Sequence, residues 1–205
     1  MTFIQQPQEK EPSFEPETDK DKVKGQFKDF IWETLKVIII SLVIIIPIRY
    51  FVIQPFYVKG ASMEPNFYDH EYLIIDEISY RFNEPERGDV IVFKYPYDRS
   101  QYFIKRIIGL PGKTITVKDG HINISDVNNP QGFTLNEDLY LPNTYTQGNE
   151  SLELDSDEYY IMGDNRSASL DSRMFGSIQD GDIIGKTWLR GWPLSRLKVF
   201  NDKVY

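Results

Sequence analysis

The chain has 205 residues and a formal net charge of −8 at pH 7, from 23 basic and 31 acidic side chains. This balance argues against non-specific nucleic-acid binding, because no basic surplus exists to neutralise phosphates. The absence of cysteine excludes disulfides, thiolate metal sites and a cysteine nucleophile. No spacing typical of a metal site occurs in the sequence, so we predict neither a metal nor another cofactor.

Two segments precede the main body. Residues 1–25 mix prolines with Glu and Lys and show no apolar periodicity, which predicts a flexible tail. The next segment has an uncharged centre at residues 37–48, and a helix of that length, about 18 Å, is shorter than the hydrocarbon layer of about 30 Å. The span must therefore extend past its flanking charges, and we predict one transmembrane helix over residues 26–53.

Charge predicts the orientation of this span. Lysines on its N-terminal side favour a cytoplasmic N-terminus, which places residues 54–205 on the extracytoplasmic or lumenal side of the cell membrane. Two alternatives remain open. The apolar run is also typical of a buried strand, although it is longer than a usual one. A cleaved secretory signal is the other, because Val58-Lys59-Gly60 loosely resembles a cleavage site, but the polar leader exceeds an ordinary n-region.

The remaining sequence favours a β-rich body. The composition, with 13 Gly, 12 Pro and 14% aromatic residues, is typical of short strands joined by turns. Asp119-Gly120 predicts a tight hairpin. Residues 125–156 are polar and indicate a small, irregular cap insertion. Apolar or alternating runs predict strands at residues 72–75, 90–93, 102–108, 114–117, 121–124, 159–162 and 183–189.

Ser62 is a candidate nucleophile, and it follows the predicted anchor by only a few residues. A nucleophile at that position would act on a substrate presented at the membrane surface. Serine needs a base, and histidine is the usual one. The two histidines, His70 and His121, lie in polar settings where exposure is the default, so we do not expect a His-dependent triad.

Lys105 is the alternative base, and its position inside an apolar strand is unusual. Because a strand alternates faces, Lys105 and Arg106 point to opposite sides, so either one cation faces an apolar environment or both faces are covered. Lowering a lysine pKa from about 10.4 to near 7 requires about 4 kcal/mol, which burial can supply. Taken alone, a basic pair on a solvated edge strand remains the competing interpretation.

A polar loop at residues 163–173 reads Gly-Asp-Asn-Arg-Ser-Ala-Ser-Leu-Asp-Ser-Arg. Such a sequence is typical of a surface turn. However, charge-assisted pairs such as Asp171 with Arg173 also form rigid supports around active sites.

Together these segments resemble type I signal peptidase, the leader peptidase family of membrane-bound Ser/Lys proteases. The resemblance covers about residues 30–196 and implies a mainly β, antiparallel or barrel-like catalytic domain with a small cap, preceded by one transmembrane helix. The matching pieces are the apolar segment, Ser-Met-x-Pro at 62–65, and the segments at 87–93, 105–112, 163–173 and 185–190.

The resemblance implies a serine endopeptidase that removes signal peptides from exported preproteins through an acyl-enzyme. Ser62 would be the nucleophile and Lys105 the general base, with the Ser62 backbone N–H as one oxyanion donor. The second donor stays open, because Gly60 stands where some family members carry a serine. The implied supporting residues are Ser169, which would position the lysine, and Asp171, Arg173, Arg106 and Asp164. The implied substrate-pocket residues are Phe56, Val58, Met63 and Ile104.

Exported preproteins and membrane lipid are the expected partners, and we expect a monomer. Asn66 stands where the family commonly has threonine, a departure from which we expect little effect. Two other functions remain open. A Ser/Lys self-cleaving regulator would need a DNA-binding or partner domain. A membrane-tethered binding module would leave Ser62 and Lys105 as bystanders.

Overall fold

A computed structural model describes residues 19–51 and 53–200, which form a mainly β structure. The helices are α1 (Asp19–Phe51) and α2 (Ser172–Phe175). The strands are β1 (Ile53–Tyr57), β2 (Tyr72–Asp76), β3 (Val90–Tyr95), β4 (Asp98–Gly109), β5 (Thr114–Lys118), β6 (His121–Asp126), β7 (Asn129–Thr134), β8 (Glu150–Glu153), β9 (Glu158–Met162), β10 (Ile178–Gln179), β11 (Ile183–Trp192) and β12 (Lys198–Val199).

The helix α1 differs at both ends from the predicted boundaries. The predicted tail lies mostly outside the described residues, but residues 19–25 already belong to α1. At the other end, Ile53 pairs in the sheet and is not part of the helix. Among the described residues, no helix combines the length and the apolarity that crossing a membrane requires.

The main sheet has eight strands, and every pairing in it is antiparallel, which confirms the predicted fold class in its β part. Its order is β1-β2-β11-β3-β4-β9-β10, with β12 paired to β11. The pairings of residues 53–200 form an open path, and closure into a barrel is not among them. Each of the seven predicted strands lies within one of the observed strands.

Both faces of the main sheet are covered at its centre. Along β3, Val90 and Val92 belong to one buried cluster, whereas Ile91 and Phe93 belong to another. The neighbouring strand β4 lies between β3 and β9, so it is not an edge strand. The interpretation of the Lys105 strand as a solvated edge is therefore wrong.

A second sheet, with the order β7-β6-β5-β8, forms the cap. The predicted hairpin joins β5 to β6, and Asp119 and Gly120 both have positive φ, as a tight type I′ turn requires. The prediction of an irregular insertion was wrong for β7 and β8, which lie within residues 125–156. Their sequences are polar, and that of β7 contains Pro and Gly, but pairing with β6 and β5 satisfies their backbone groups.

The main sheet's interior predicts the effect of removing one side chain. Ile161 is fully buried in β9, so Ile161→Ala should lower the free energy of unfolding by about 2–5 kcal/mol through the cavity that it leaves. Leu139→Ala is the control, because Leu139 is 82% exposed. Denaturant unfolding of the full chain in detergent measures both changes. Equal changes in the two variants would contradict the assigned core.

Candidate active site

Ser62 and Lys105 are in direct contact. The Lys105 Nζ lies 2.8 Å from the Ser62 Oγ, to which it donates a hydrogen bond, and it also donates to the Ile104 carbonyl at 2.9 Å. The lysine side chain is almost completely buried, whereas Ser62 is half-buried and reaches the surface cleft. The structure therefore places a desolvated amine against a hydroxyl that a substrate can approach.

The backbone around Ser62 is held by the polar loop at residues 163–173. The Asn165 N–H donates to the Ser62 carbonyl at 3.1 Å, and the Asn165 side-chain amide donates to the Ala61 carbonyl at 3.1 Å. A Cβ on Gly163 would collide with the Ser62 carbonyl oxygen and the Ser169 hydroxyl, so only glycine fits there. The loop therefore determines where the serine backbone lies relative to β4.

Burial lowers the pKa of Lys105 to about 8, because the charged amine loses its hydration. The carboxylates of Asp171 and Asp164 act in the opposite direction and raise it. Desolvation dominates, so roughly a fifth of Lys105 is neutral at about pH 7.4. A neutral amine has the lone pair that a general base needs.

Asp171 forms the first supporting ion pair. It accepts hydrogen bonds from Arg173 Nε and Nη2, both at 2.8 Å, and from the Gly163 N–H at 3.0 Å. Burial opposes ionisation of Asp171, but these donors outweigh it and hold its pKa below the usual range. The buried Ser169 hydroxyl also lowers that pKa, yet it makes no hydrogen bond to Lys105. The expected positioning of the lysine by Ser169 is therefore not seen.

Arg106 and Asp164 form the second supporting pair, on the other face of β4. Two guanidinium nitrogens of Arg106 donate to the two carboxylate oxygens of Asp164, at 2.8 and 2.6 Å, and both side chains are buried. Asn66 donates from its amide to Asp164 at 2.8 Å and to the Tyr140 carbonyl at 3.0 Å. Asn66 thus connects the segment that carries Ser62 to this pair. From the sequence we expected asparagine at this position to have little effect.

The backbone N–H groups near the nucleophile differ in availability. Within the described residues, the Ser62 N–H donates to no protein acceptor, so it is free to bind an oxyanion. The Gly60 N–H is occupied, because it donates to Asp69 Oδ1 at 2.9 Å. Gly60 also has a φ of +94°, a conformation that disfavours the family serine at this position. The Gly60 N–H is therefore not available as the second oxyanion donor, which the sequence left open.

A cleft of about 240 Å³ opens beside Ser62 and Lys105. Three of the four predicted pocket residues line it, namely Phe56, Val58 and Ile104. Met63 does not, because it is almost fully buried and its Sδ lies 3.5 Å from the Asp164 nitrogen. Other side chains of the cleft, such as Tyr102 and Leu170, were not predicted. Leu170 is an apolar residue within a polar loop, and that contrast is a signal in the sequence.

The two histidines are both exposed, as the sequence predicted. His70 pairs with Asp69 at 2.9 Å on the surface, and neither histidine hydrogen-bonds Ser62. Lys105 is therefore the base that the geometry favours.

A buried ion pair between the loop and the cap was also missed. Arg166 donates to both carboxylate oxygens of Glu137. The loop contains two arginines and two aspartates, and both aspartates already bind Arg106 or Arg173. The sequence does not say which carboxylate outside the loop pairs with Arg166.

Comparison with known proteins establishes the family. A family model described as signal peptidase, peptidase S26, matches residues 31–192. The chain belongs to this family. It is therefore a serine peptidase, which confirms the resemblance on which the sequence analysis relied.

Individual relatives agree with this signal peptidase assignment. The chain is 38% identical over 176 residues to signal peptidase I of Leptolyngbya laminosa, with 82% of each chain covered. It is 31% identical over 191 residues to signal peptidase I P of Bacillus subtilis subsp. natto, with 88% of this chain and 97% of the relative covered. A crystal structure of a signal peptidase I from Enterococcus faecalis V583 aligns at 30% identity with a TM-score of 0.43, over 51% of this chain and 97% of that one.

The lowered pKa of Lys105 predicts a stability cost in this signal peptidase. A folded pKa of about 8, against 10.5 for the free side chain, corresponds to about 3 kcal/mol. The cost is fully present below pH 8 and disappears as pH rises towards 10.5, because only the unfolded chain then holds the proton. Lys105→Met should therefore stabilise the fold at pH 7, with a gain that shrinks above pH 8.

Denaturant unfolding between pH 6.5 and 10 measures this gain. Lys118→Met is the matched control, because Lys118 is an exposed lysine at the end of β5. A gain for Lys105→Met that stays constant across this pH range would show that the buried lysine does not titrate as described.

Proposed function

We propose that this peptidase removes signal peptides from exported preproteins with a Ser62–Lys105 dyad. The observation that supports it is the 2.8 Å contact between the Ser62 Oγ and the Nζ of a buried lysine. The names of the relatives supply the substrate class. Family membership makes a membrane-tethered binding module without catalysis less favoured, and the chain offers no separate DNA-binding domain for a self-cleaving regulator within residues 53–200.

The mechanism follows from the protonation state of Lys105. The neutral amine accepts the Ser62 hydroxyl proton while the Oγ attacks the scissile carbonyl. The Ser62 N–H stabilises the oxyanion of the tetrahedral intermediate. The ammonium then gives its proton to the leaving amine, which leaves an acyl-enzyme. Lys105 next takes a proton from the water that attacks the ester, and it returns this proton to the Ser62 Oγ as the signal peptide leaves.

The shape of the cleft supports a substrate with small side chains before the cut. A volume of about 240 Å³ is small for a peptide segment, and Phe56, Val58 and Ile104 make its walls apolar. The edge strand β1 carries Phe56, is followed directly by Val58, and exposes its outer backbone groups. An extended peptide can pair with such an edge, with small side chains at the first and third positions before the cut in the apolar pockets.

Membrane attachment is the second part of the proposal. The apolar side chains at residues 37–46 of α1 are exposed, which supports their burial in lipid. A cytoplasmic N-terminus and a single span would place the dyad on the extracytoplasmic side, where exported preproteins arrive. We propose that the enzyme works there as a monomer.

Loss of either dyad member tests the mechanism. Ser62→Ala and Lys105→Met should each lower kcat for preprotein cleavage at least about 10³-fold, because each removes an essential step. Ser156→Ala and Lys118→Met are controls of the same residue types at exposed positions. Gel-based cleavage of a preprotein in detergent measures all four. Full processing by either dyad variant would contradict the proposal and favour another nucleophile or base.

The pKa of Lys105 predicts the pH profile. Since the neutral amine is the active form, kcat/KM should rise with pH and level off above about 8. Below that value it should fall about tenfold per pH unit. Steady-state cleavage between pH 5.5 and 9.5 measures the profile. Activity that continues unchanged down to pH 6 would exclude Lys105 as the base with this pKa.

A further inference from the structure

Glu137 lies in the cap, but its carboxylate binds the polar loop at residues 163–173. Arg166 donates to Glu137 Oε2 at 2.7 Å from one guanidinium nitrogen and to Oε1 from the other. The Tyr140 hydroxyl also donates to Oε1. The side chains of Arg166 and Glu137 are 2% and 11% exposed, so this pair is almost completely desolvated.

Arg166 is fixed at further points. Its Nη1 donates to the buried Thr146 hydroxyl at 2.5 Å, and its Nε donates to the Gly163 carbonyl at 3.0 Å. Thr146 is itself tied to the cap by a backbone bridge to Gly120. One guanidinium therefore joins the cap to the first residue of the polar loop, and Glu137 supplies the charge that keeps it there.

The same short segment of the loop holds the nucleophile. Gly163 packs so closely against the Ser62 carbonyl that no Cβ fits between them. Two residues later, the Asn165 N–H donates to that carbonyl at 3.1 Å. A shift of residues 163–166 would therefore move Ser62 relative to Lys105, which β4 holds independently.

We propose that Glu137 is a positioning residue that holds Ser62 at its reactive distance from Lys105 through Arg166 and the Gly163 peptide. The proposal rests on the dyad function proposed above and adds a role for the cap. Without Glu137, Arg166 loses its buried counter-charge, and the loop is free to move towards another partner or solvent. A misplacement of about 1 Å between reacting groups can cost about 10²-fold in rate.

Steady-state kinetics test this role in the full chain. Glu137→Ala should lower kcat about 10- to 100-fold and leave KM within about twofold, because the apolar walls Phe56, Val58 and Ile104 lie outside the polar loop. Glu137→Gln keeps an acceptor for the guanidinium but not the charge, so its kcat should lie between those of wild type and Glu137→Ala. Glu153→Ala is the matched control, since Glu153 is an exposed carboxylate on β8 of the cap sheet. Unchanged kcat in the folded Glu137 variants, or an effect on KM alone, would overturn the proposal.

Arg166→Ala completes a double-mutant cycle. Because both residues act through one contact, the double variant with Glu137→Ala should be no slower than the slower single variant. Additive losses would show that Glu137 acts by another route. Thermal unfolding of each variant corrects the rates for the folded fraction, and Glu137→Gln decides the matter if Glu137→Ala does not fold.

Hydrogen exchange separates this proposal from the dyad mechanism. In Glu137→Ala, exchange should be faster in a peptide that covers residues 163–171, which contains the Asn165 amide, and unchanged in β3. This readout does not require activity. If wild type failed to cleave, or if Ser62→Ala still cleaved, the dyad function would fail while exchange still decided the role of Glu137. Unchanged protection of residues 163–171 would overturn that role.

Discussion

A buried amine beside a serine hydroxyl is the interaction on which the other features of the site depend. Lys105 is desolvated because both faces of the main sheet are covered where β4 crosses it, and that burial lowers its pKa to about 8. A solvated lysine at the same 2.8 Å from Ser62 would keep its proton at neutral pH and could not act as a base. The two-sided packing therefore lowers the pKa of Lys105. Its cost is the free energy of unfolding that is lost when a charged lysine is buried there.

The arginines near the dyad limit the effect of the carboxylates. Asp164 and Asp171 both raise the pKa of Lys105, and either one unpaired in this buried region would favour the charged amine more strongly. Each is instead matched to a guanidinium through two hydrogen bonds, Asp164 to Arg106 and Asp171 to Arg173. The pairs thus provide rigidity without adding a large net negative charge beside the base.

The sequence predicted most strands and singled out Ser62 and Lys105, which lie in contact, but it did not predict the contacts that join distant segments. Alternation of apolar residues located the strands with strong patterns, whereas the polar β7 and β8 form only because neighbouring strands supply hydrogen bonds. Ser62 and Lys105 followed from motifs that the family shares. Met63 was assigned to the pocket because residue type alone does not distinguish a core side chain from a cleft wall. The Gly60 N–H is unavailable to an oxyanion because it donates to Asp69, a contact that the local sequence does not reveal.

Asn66 indicates how this chain connects its cap to the Arg106–Asp164 pair. A threonine hydroxyl has one hydrogen to donate, but the Asn66 amide has two, and it uses them on Asp164 and on the Tyr140 carbonyl. The Tyr140 ring also lies against the Arg106 guanidinium, 4.0 Å from its centre. Through these interactions and through Glu137, the cap touches both the Arg106–Asp164 pair and the polar loop at residues 163–173. Because Tyr140 and Glu137 belong to the segment that looked least structured in sequence, the cap is better understood as part of the active-site support than as a separate insertion.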